Sequence, residues 1–270
     1  MWTMLLAGFL MADDAALQLM RQVAERWEAS ETGRLRFVYS QRVRSGLVKT
    51  NGKAGCNEDR RYTVIPLETR TEKKIDSMTR TCEEDRMDRD ILNSVTDHWV
   101  NDKDSRDGLS KDLFPLRVVD LPNYNFRLAG EGSVAGRPVR KVSFTPRANA
   151  DHPWADQPWK GEIWVDAEDL QPARMTTDLA HKIPLGVRVF LGTDVKQAGF
   201  SATYTRVAPG IWFPATYGTE FQIKVLFGYR RNITLSMESS DFRRTGAESE
   251  IQYQPYNTVT CPSPETCTNP

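Results

Sequence analysis

The sequence predicts a mainly β, α+β fold: one antiparallel sheet, opened by an N-terminal helix and interrupted by a helical insertion. Three observations carry this expectation. Period-two alternation of apolar and polar residues dominates the chain after Pro122. Turn signals such as Ala135-Gly136-Arg137 and Ala208-Pro209-Gly210 join the alternating segments as hairpins. Helical spacing is readable in two places, before Gly33 and after Cys82. No low-complexity linker or composition break divides the chain. The expected organisation is a single domain over 13–253, with a helical insertion at about 83–120 and a Cys-bearing tail over 254–270.

Taken in order, residues Trp2 to Ala12 form an apolar run too short to span a bilayer as a helix. The run suits the apolar core of a secretory signal, but no Lys or Arg precedes it. Two readings stay open: a remnant of a signal sequence over 1–12, or the buried beginning of the first helix. From Asp13 to Glu31, Leu17, Met20, Val23, Ala24 and Trp27 fall on one helical face, and Asp13-Asp14 suits the positive end of the helix dipole. Gly33 reads as the stop. Leu35, Phe37 and Tyr39 then alternate with Arg34, Arg36 and Val38, and a second strand is expected over Arg60–Lys74 after a loop carrying Cys56.

The densely charged stretch 83–112 contains Met87, Ile91, Val95 and Trp99, which recur every four residues. The spacing predicts an amphipathic helix with a narrow apolar stripe over Glu83–Trp99. Beyond it, Gly130, Gly132 and Gly136 have the wrong spacing for a dinucleotide fingerprint, and no helix follows them. A Pro- and Trp-rich loop occupies 147–159. Ile163 and Val165 then alternate with Glu162, Trp164 and Asp166, and Ala173, Met175, Thr177 and Leu179 with Arg174, Thr176 and Asp178. On the long strand near the end, Phe213, Tyr217, Phe221, Ile223 and Val225 share a face that Ile233, Leu235 and Met237 continue across a hairpin at Gly228. Such a sheet has one apolar and one polar face and needs a cover on the first.

Composition excludes some functions. Hydrophobic residues make up 39 % and charged residues 27 %, ordinary for a soluble globular chain, and 36 basic residues balance 36 acidic ones. A dedicated nucleic-acid binder shows a basic excess that is missing here. Among candidate chemical groups, Asp166, Glu168 and Asp169 crowd one turn. EF-hand spacing is absent, so the turn reading, in which carboxylates bond nearby backbone N–H groups, is expected over a cation site. His98, His152 and His181 are scattered, and no GxSxG elbow or P-loop occurs. His152, near Asp151 and Asp156, is the least unsuitable place for a hydrolase site. Neither a cofactor nor a metal is expected.

The four cysteines form two local pairs, Cys56 with Cys82 and Cys261 with Cys267, neither at CxxC spacing. Four cysteines allow three connectivities. Local pairing is the simplest expectation for an exported protein, and four free thiols for a cytosolic one.

Two local patterns point to a family. One is "FRLAGEGSVAGRPVRKVSFTP", a strand, a Gly-Arg-Pro turn and a returning strand. The other is "GEIWVDAEDLQPARM", where a Trp-Val-Asp strand end turns into a strand reading out from Leu170. With the later "YTRVAPGIWFPATY" and the order of elements, the chain resembles the periplasmic lipoprotein carriers of the Lol type and the broader outer-membrane lipoprotein-sorting proteins, over roughly Asp13 to Arg244. The resemblance implies a strongly curved antiparallel sheet forming an incomplete β-barrel, lidded by the N-terminal helix and the inserted helical segment. It implies a periplasmic, non-enzymatic protein whose apolar concave face takes a lipid, an acyl chain or a lipoprotein, with peripheral membrane contact. An envelope protein-interaction or stress-sensor module using the same scaffold is the alternative. The cavity residues expected on the sheet are Phe37, Tyr39, Ile163, Val165, Met175, Phe200, Tyr204, Phe213, Tyr217, Phe221 and Ile223. Met87, Ile91, Val95 and Trp99 are expected to face them from the lid.

Overall fold

The computed structural model describes residues 3–67, 71–82, 86–100, 117–147, 159–179, 196–224 and 230–245, with side chains from Asp14 onward except at 98, 99, 196–198 and 224. Helix α1 spans Thr3–Arg34. Strands β1 (Phe37–Lys49), β2 (Ala54–Pro66) and β3 (Thr71–Cys82) precede helix α2 (Arg86–Val100). Seven further strands follow: β4 (Tyr124–Val134), β5 (Arg137–Pro146), β6 (Trp159–Asp166), β7 (Pro172–Leu179), β8 (Lys196–Ala208), β9 (Ile211–Lys224) and β10 (Arg230–Arg244). All ten form one sheet in the order β3-β2-β1-β10-β9-β8-β7-β6-β5-β4, antiparallel throughout. The ladder runs from edge to edge without closing.

The sheet is strongly curved around α1. Helix α1 packs against both β4 and β9, which lie five strands apart. In a flat sheet that separation is roughly 24 Å, at about 4.8 Å per strand. Helix α1 packs on these two strands more than on the four between them, as it does when the sheet wraps around it rather than lying flat beneath it. Six of the nine ladders carry a register shift, and such irregularities bend and twist strands. The result is an open half-barrel around α1.

The sequence pattern explains most of these elements. The inward stripe of α1 consists of Ala16, Met20, Val23, Ala24 and Trp27, all buried, with Leu17 half-buried beside it. The hairpin between β4 and β5 turns at Ala135 (φ 49°) and Gly136 (φ 79°), a pair of positive-φ residues that matches the twist of a tight hairpin. Gly210 at φ 70° closes the turn between β8 and β9 behind Pro209. The tip of the hairpin containing Gly228 and Val225 lies outside the described residues.

Two expectations about the first strands are corrected. Arg60–Lys74 is not one strand: β2 ends at Pro66 and β3 begins at Thr71, because Pro66 cannot donate to a continuing ladder. Cys56 does not sit in a loop but within β2, directly opposite Cys82 on β3, and the two form a disulfide. Cys261 and Cys267 lie outside the described residues, as do His152, Asp151, Asp156 and most of the Pro- and Trp-rich loop.

Candidate ligand-binding face

Tracing cross-strand partners gives the inward rows of the half-barrel. One row runs Val43–Met237–Tyr217–Ala202–Met175–Ile163–Val142. All seven are buried. The next runs from Phe126 through Phe144, Gly161 and Thr177 to Phe200. Phe37, Tyr39, Ile163, Val165, Met175, Phe200, Tyr204, Phe213 and Tyr217 all belong to a single apolar cluster with the stripe of α1. Ile223 is also buried, and Phe221 is half-buried. Edge-to-face ring contacts tie the cluster together, including Phe37–Phe213 at 5.6 Å and Trp159–Phe200 at 5.3 Å between centroids.

The helix over the β8–β9 part of this face is α1, not α2. Trp27 stands edge-on to Tyr204, with centroids 5.4 Å apart and planes at 83°. Helix α2 packs instead on β1 and β2. Among its described side chains the buried ones are Asp88, Leu92, Thr96 and Val100, one position on from the expected stripe. Met87 is 52 % exposed and Ile91 and Val95 are half-buried. The Trp99 side chain lies outside the described residues. Met87 and Ile91 line an open depression of about 530 Å³ on the outer side of α2, together with Arg86, Asp90 and Ser94.

The displacement has a polar cause. Arg231 on β10 donates from Nε to the fully buried carboxylate of Asp88 at 2.8 Å. A Cβ on Gly55 would come within 2.6 Å of Asp88 Oδ2, so the glycine makes room for this carboxylate. Thr96 Oγ1 donates to Ser45 Oγ at 2.9 Å. At the far end Arg60 Nη1 donates to Asp97 at 2.6 Å, while Arg60 and Arg80 both engage the buried Glu58. Leu92 anchors the middle apolarly, on Leu47 and Cys56 beside the disulfide, with half-buried Ile91 packed against the same cluster and Val100 joining the main core. Counting apolar residues at helical spacing could not find a face on which polar Asp88 and Thr96 alternate with Leu92 and Val100.

The three-carboxylate turn is resolved in favour of structure. Asp166 Oδ1 accepts from the backbone N–H groups of Glu168 (3.1 Å) and Asp169 (2.8 Å), and Arg137 donates to both carboxylate oxygens. Burial alone would raise the Asp166 pKa, but the Arg137 guanidinium and these N–H groups outweigh it and hold the carboxyl below its ordinary range. Asp169 accepts from Trp212 Nε1 at 2.9 Å and pairs with Arg206 at 2.8 Å. The same turn fastens α1: Gln171 Nε2 donates to the Arg26 carbonyl at 3.0 Å, and Arg26 donates back to the Asp169 carbonyl at 3.2 Å. Among the described residues, no group of His, Cys, Asp and Glu is arranged to hold a metal ion, and no helix is long and apolar enough to cross a membrane, which says nothing of strands.

The architecture is an open ten-stranded antiparallel half-barrel with helices α1 and α2, and several solved structures align with the chain over most of its length. A putative outer-membrane lipoprotein-sorting protein domain from Vibrio parahaemolyticus aligns over 88 % of this chain and 95 % of its own, at 12 % identity and a TM-score of 0.40. A DUF1329 family protein from Desulfovibrio piger aligns over 87 % and 95 %, at 12 % identity and a TM-score of 0.39. A LolA superfamily protein from Nitrosomonas europaea aligns over 89 % and 96 %, at 9 % identity and a TM-score of 0.30. No protein-family model and no curated protein matches the chain.

Proposed function

We propose that the chain is an exported, periplasmic carrier that binds a hydrophobic molecule (a lipid, an acyl chain or a lipid-modified protein) on the concave face of its half-barrel, without covalent chemistry. One observation carries this reading. The sheet is open at both edges, and its apolar inner face is covered at β4 and β9 by one helix, α1. The polar bonds of α1 to the turn after β6 and to β9 come from its C-terminal half, from Arg26 and Arg34. A ligand that offers comparable apolar burial can compete with the stripe from the other end, each large side chain being worth about 1.5–3 kcal/mol. The Cys56–Cys82 bridge supports an oxidising compartment.

A second reading, an envelope interaction or sensor scaffold, is favoured by a different fact: Ala16, Met20, Val23 and Ala24 are completely buried, as they would be in an ordinary core. Mass spectrometry of the protein purified from its native compartment separates the two. Co-purifying lipid or acyl species at near-stoichiometric amounts supports the carrier. Lipid-free protein that also fails to take up an acyl probe leaves the scaffold.

A further inference from the structure

Three side chains on the inner face carry buried donors with no partner among the described residues, the Tyr124 hydroxyl, Trp159 Nε1–H and the Gln41 amide on β1, and the first two stand close to each other. They share one end of the half-barrel. Tyr124 pairs with Pro146, Trp159 pairs with Leu179, and both pairs lie one inward step beyond the Phe144–Gly161 pair. Tyr124 and Trp159 are therefore on the same inward row, two strands apart, roughly 10 Å between backbones. Both pack on aromatic rings, with Asp120 and Arg147 beside Tyr124. Tyr124 lies 5.8 Å from Phe144 and 6.1 Å from Phe126, and Trp159 lies 5.3 Å from Phe200.

An unpaired buried donor is costly, and folded proteins rarely leave one without a reason. A buried water is a poor reason here. It needs two to four polar partners, roughly, and the rings that pack on Tyr124 and Trp159 supply none, the charged groups Asp120 and Arg147 lying at the Tyr124 side. The opposite end of the same barrel shows how this fold treats a purely structural indole: Trp212 Nε1 donates to Asp169 at 2.9 Å. Tyr62, likewise buried, has its hydroxyl engaged by Arg60 at 3.3 Å. Tyr124 and Trp159 depart from that pattern together and at one place. Burial also raises the Tyr124 pKa above the ordinary phenol range, so its hydroxyl keeps the proton it would donate.

We propose that this end of the concave face holds the polar end of the bound molecule, with Tyr124 Oη–H and Trp159 Nε1–H donating to its oxygen atoms. The inference rests on the carrier reading and deepens it. An indole N–H can only donate, so the ligand group must accept. A carboxyl or ester oxygen does so, and the attached chain runs inward over Phe144 and Phe200 toward Ile163 and Met175. The ligand is an amphiphile with an oxygen acceptor at its head, not a plain hydrocarbon.

The test is displacement of a fluorescent hydrophobic dye from the full chain by palmitic acid, by its methyl ester and by hexadecane. Tyr124→Phe removes one donor and keeps the ring, and Trp159→Phe removes the other while exchanging the indole for a smaller phenyl ring. Each is expected to weaken the acid and the ester by roughly two- to tenfold, the net worth of one hydrogen bond, with hexadecane unchanged. The melting temperature of Tyr124→Phe is expected not to fall, because the lost hydroxyl was unpaired. Unchanged affinity for acid and ester in both variants overturns the anchor, and so does equal weakening for hexadecane. If Trp159→Phe does not fold, Tyr124→Phe decides alone. Wild-type protein from which none of the three displaces dye overturns the carrier reading and the anchor with it, whereas binding that ignores both variants overturns the anchor only.

Discussion

Trp27 of α1 meets Tyr204 of β8 edge to face at 5.4 Å, and this contact places α1 inside the half-barrel. The guanidinium of Arg34, one side of the same helix, lies 4.1 Å over the Trp27 ring, and Arg34 reaches the Trp212 carbonyl on β9. Trp27 is thus both a core residue and the joint between helix and sheet. Trp27→Ala is expected to cost about 3–5 kcal/mol, as large-to-small changes in a packed core do. Urea unfolding of the variant against wild type measures it. A loss under 1 kcal/mol would mean that α1 contributes little to the fold.

The one-residue offset of α2 can be tested by a pair of substitutions. Leu92 is buried on Leu47 and Cys56, whereas Met87 is half out of the structure. Leu92→Ala is expected to destabilise by about 2–4 kcal/mol and Met87→Ala by less than about 0.5 kcal/mol. The reverse ranking in equilibrium denaturation would restore the stripe at Met87, Ile91 and Val95 as the packed face.

The Asp88–Arg231 pair fastens the start of α2 to β10, and its loss should act locally. Asp88→Ala leaves Arg231 beside an emptied cradle, and Gly55→Ala pushes a methyl into Asp88. Both are expected to speed amide exchange across 86–100 at least tenfold, with β6–β8 protected as before. Exchange that rises equally over the whole chain would show that α2 unfolds only with the global domain.

Much of the sheet was legible because its signal is local. Alternation at Ile163–Val165 and Ala173–Leu179, and turn residues at Gly136 and Gly210, decide strands and hairpins without reference to distant contacts. The candidate face followed, since inward residues of a half-covered sheet are the apolar ones. What was not legible depends on partners far away in sequence. Asp88 is buried because of Arg231, 143 residues on, and Arg60 holds Asp97 from another element. Neither pairing leaves a periodic trace, so the face of α2 was placed one residue off and its site in the barrel was assigned to the wrong strands. The β2–β3 break was hidden by a charged edge strand that buries nothing and hence shows no alternation.

Asp166 gives a pH dependence with a definite sign. Its folded-state pKa lies below the ordinary 3.8, so its contribution to stability is fully present above that value and is lost as pH falls through the lowered one. Asp166→Asn is expected to destabilise by about 2–4 kcal/mol at pH 7, leaving Arg137 without its main partner. The gap between wild type and variant should narrow below pH 4. Denaturation midpoints at pH 7 and pH 3 measure it, and a gap that stays constant would remove Asp166 as the titrating group.

The central claim is that a hydrophobic molecule and the inner stripe of α1 compete for one concave face. Hydrogen exchange over residues 14–34, with and without a saturating acyl ligand, tests it most directly. Competition predicts that exchange in the apolar stripe from Ala16 to Trp27 speeds up when ligand binds, while strands β6 to β9 keep or gain protection. Exchange over 14–34 that stays as slow as in the central strands, with ligand demonstrably bound, would contradict it and leave α1 as a fixed part of the core.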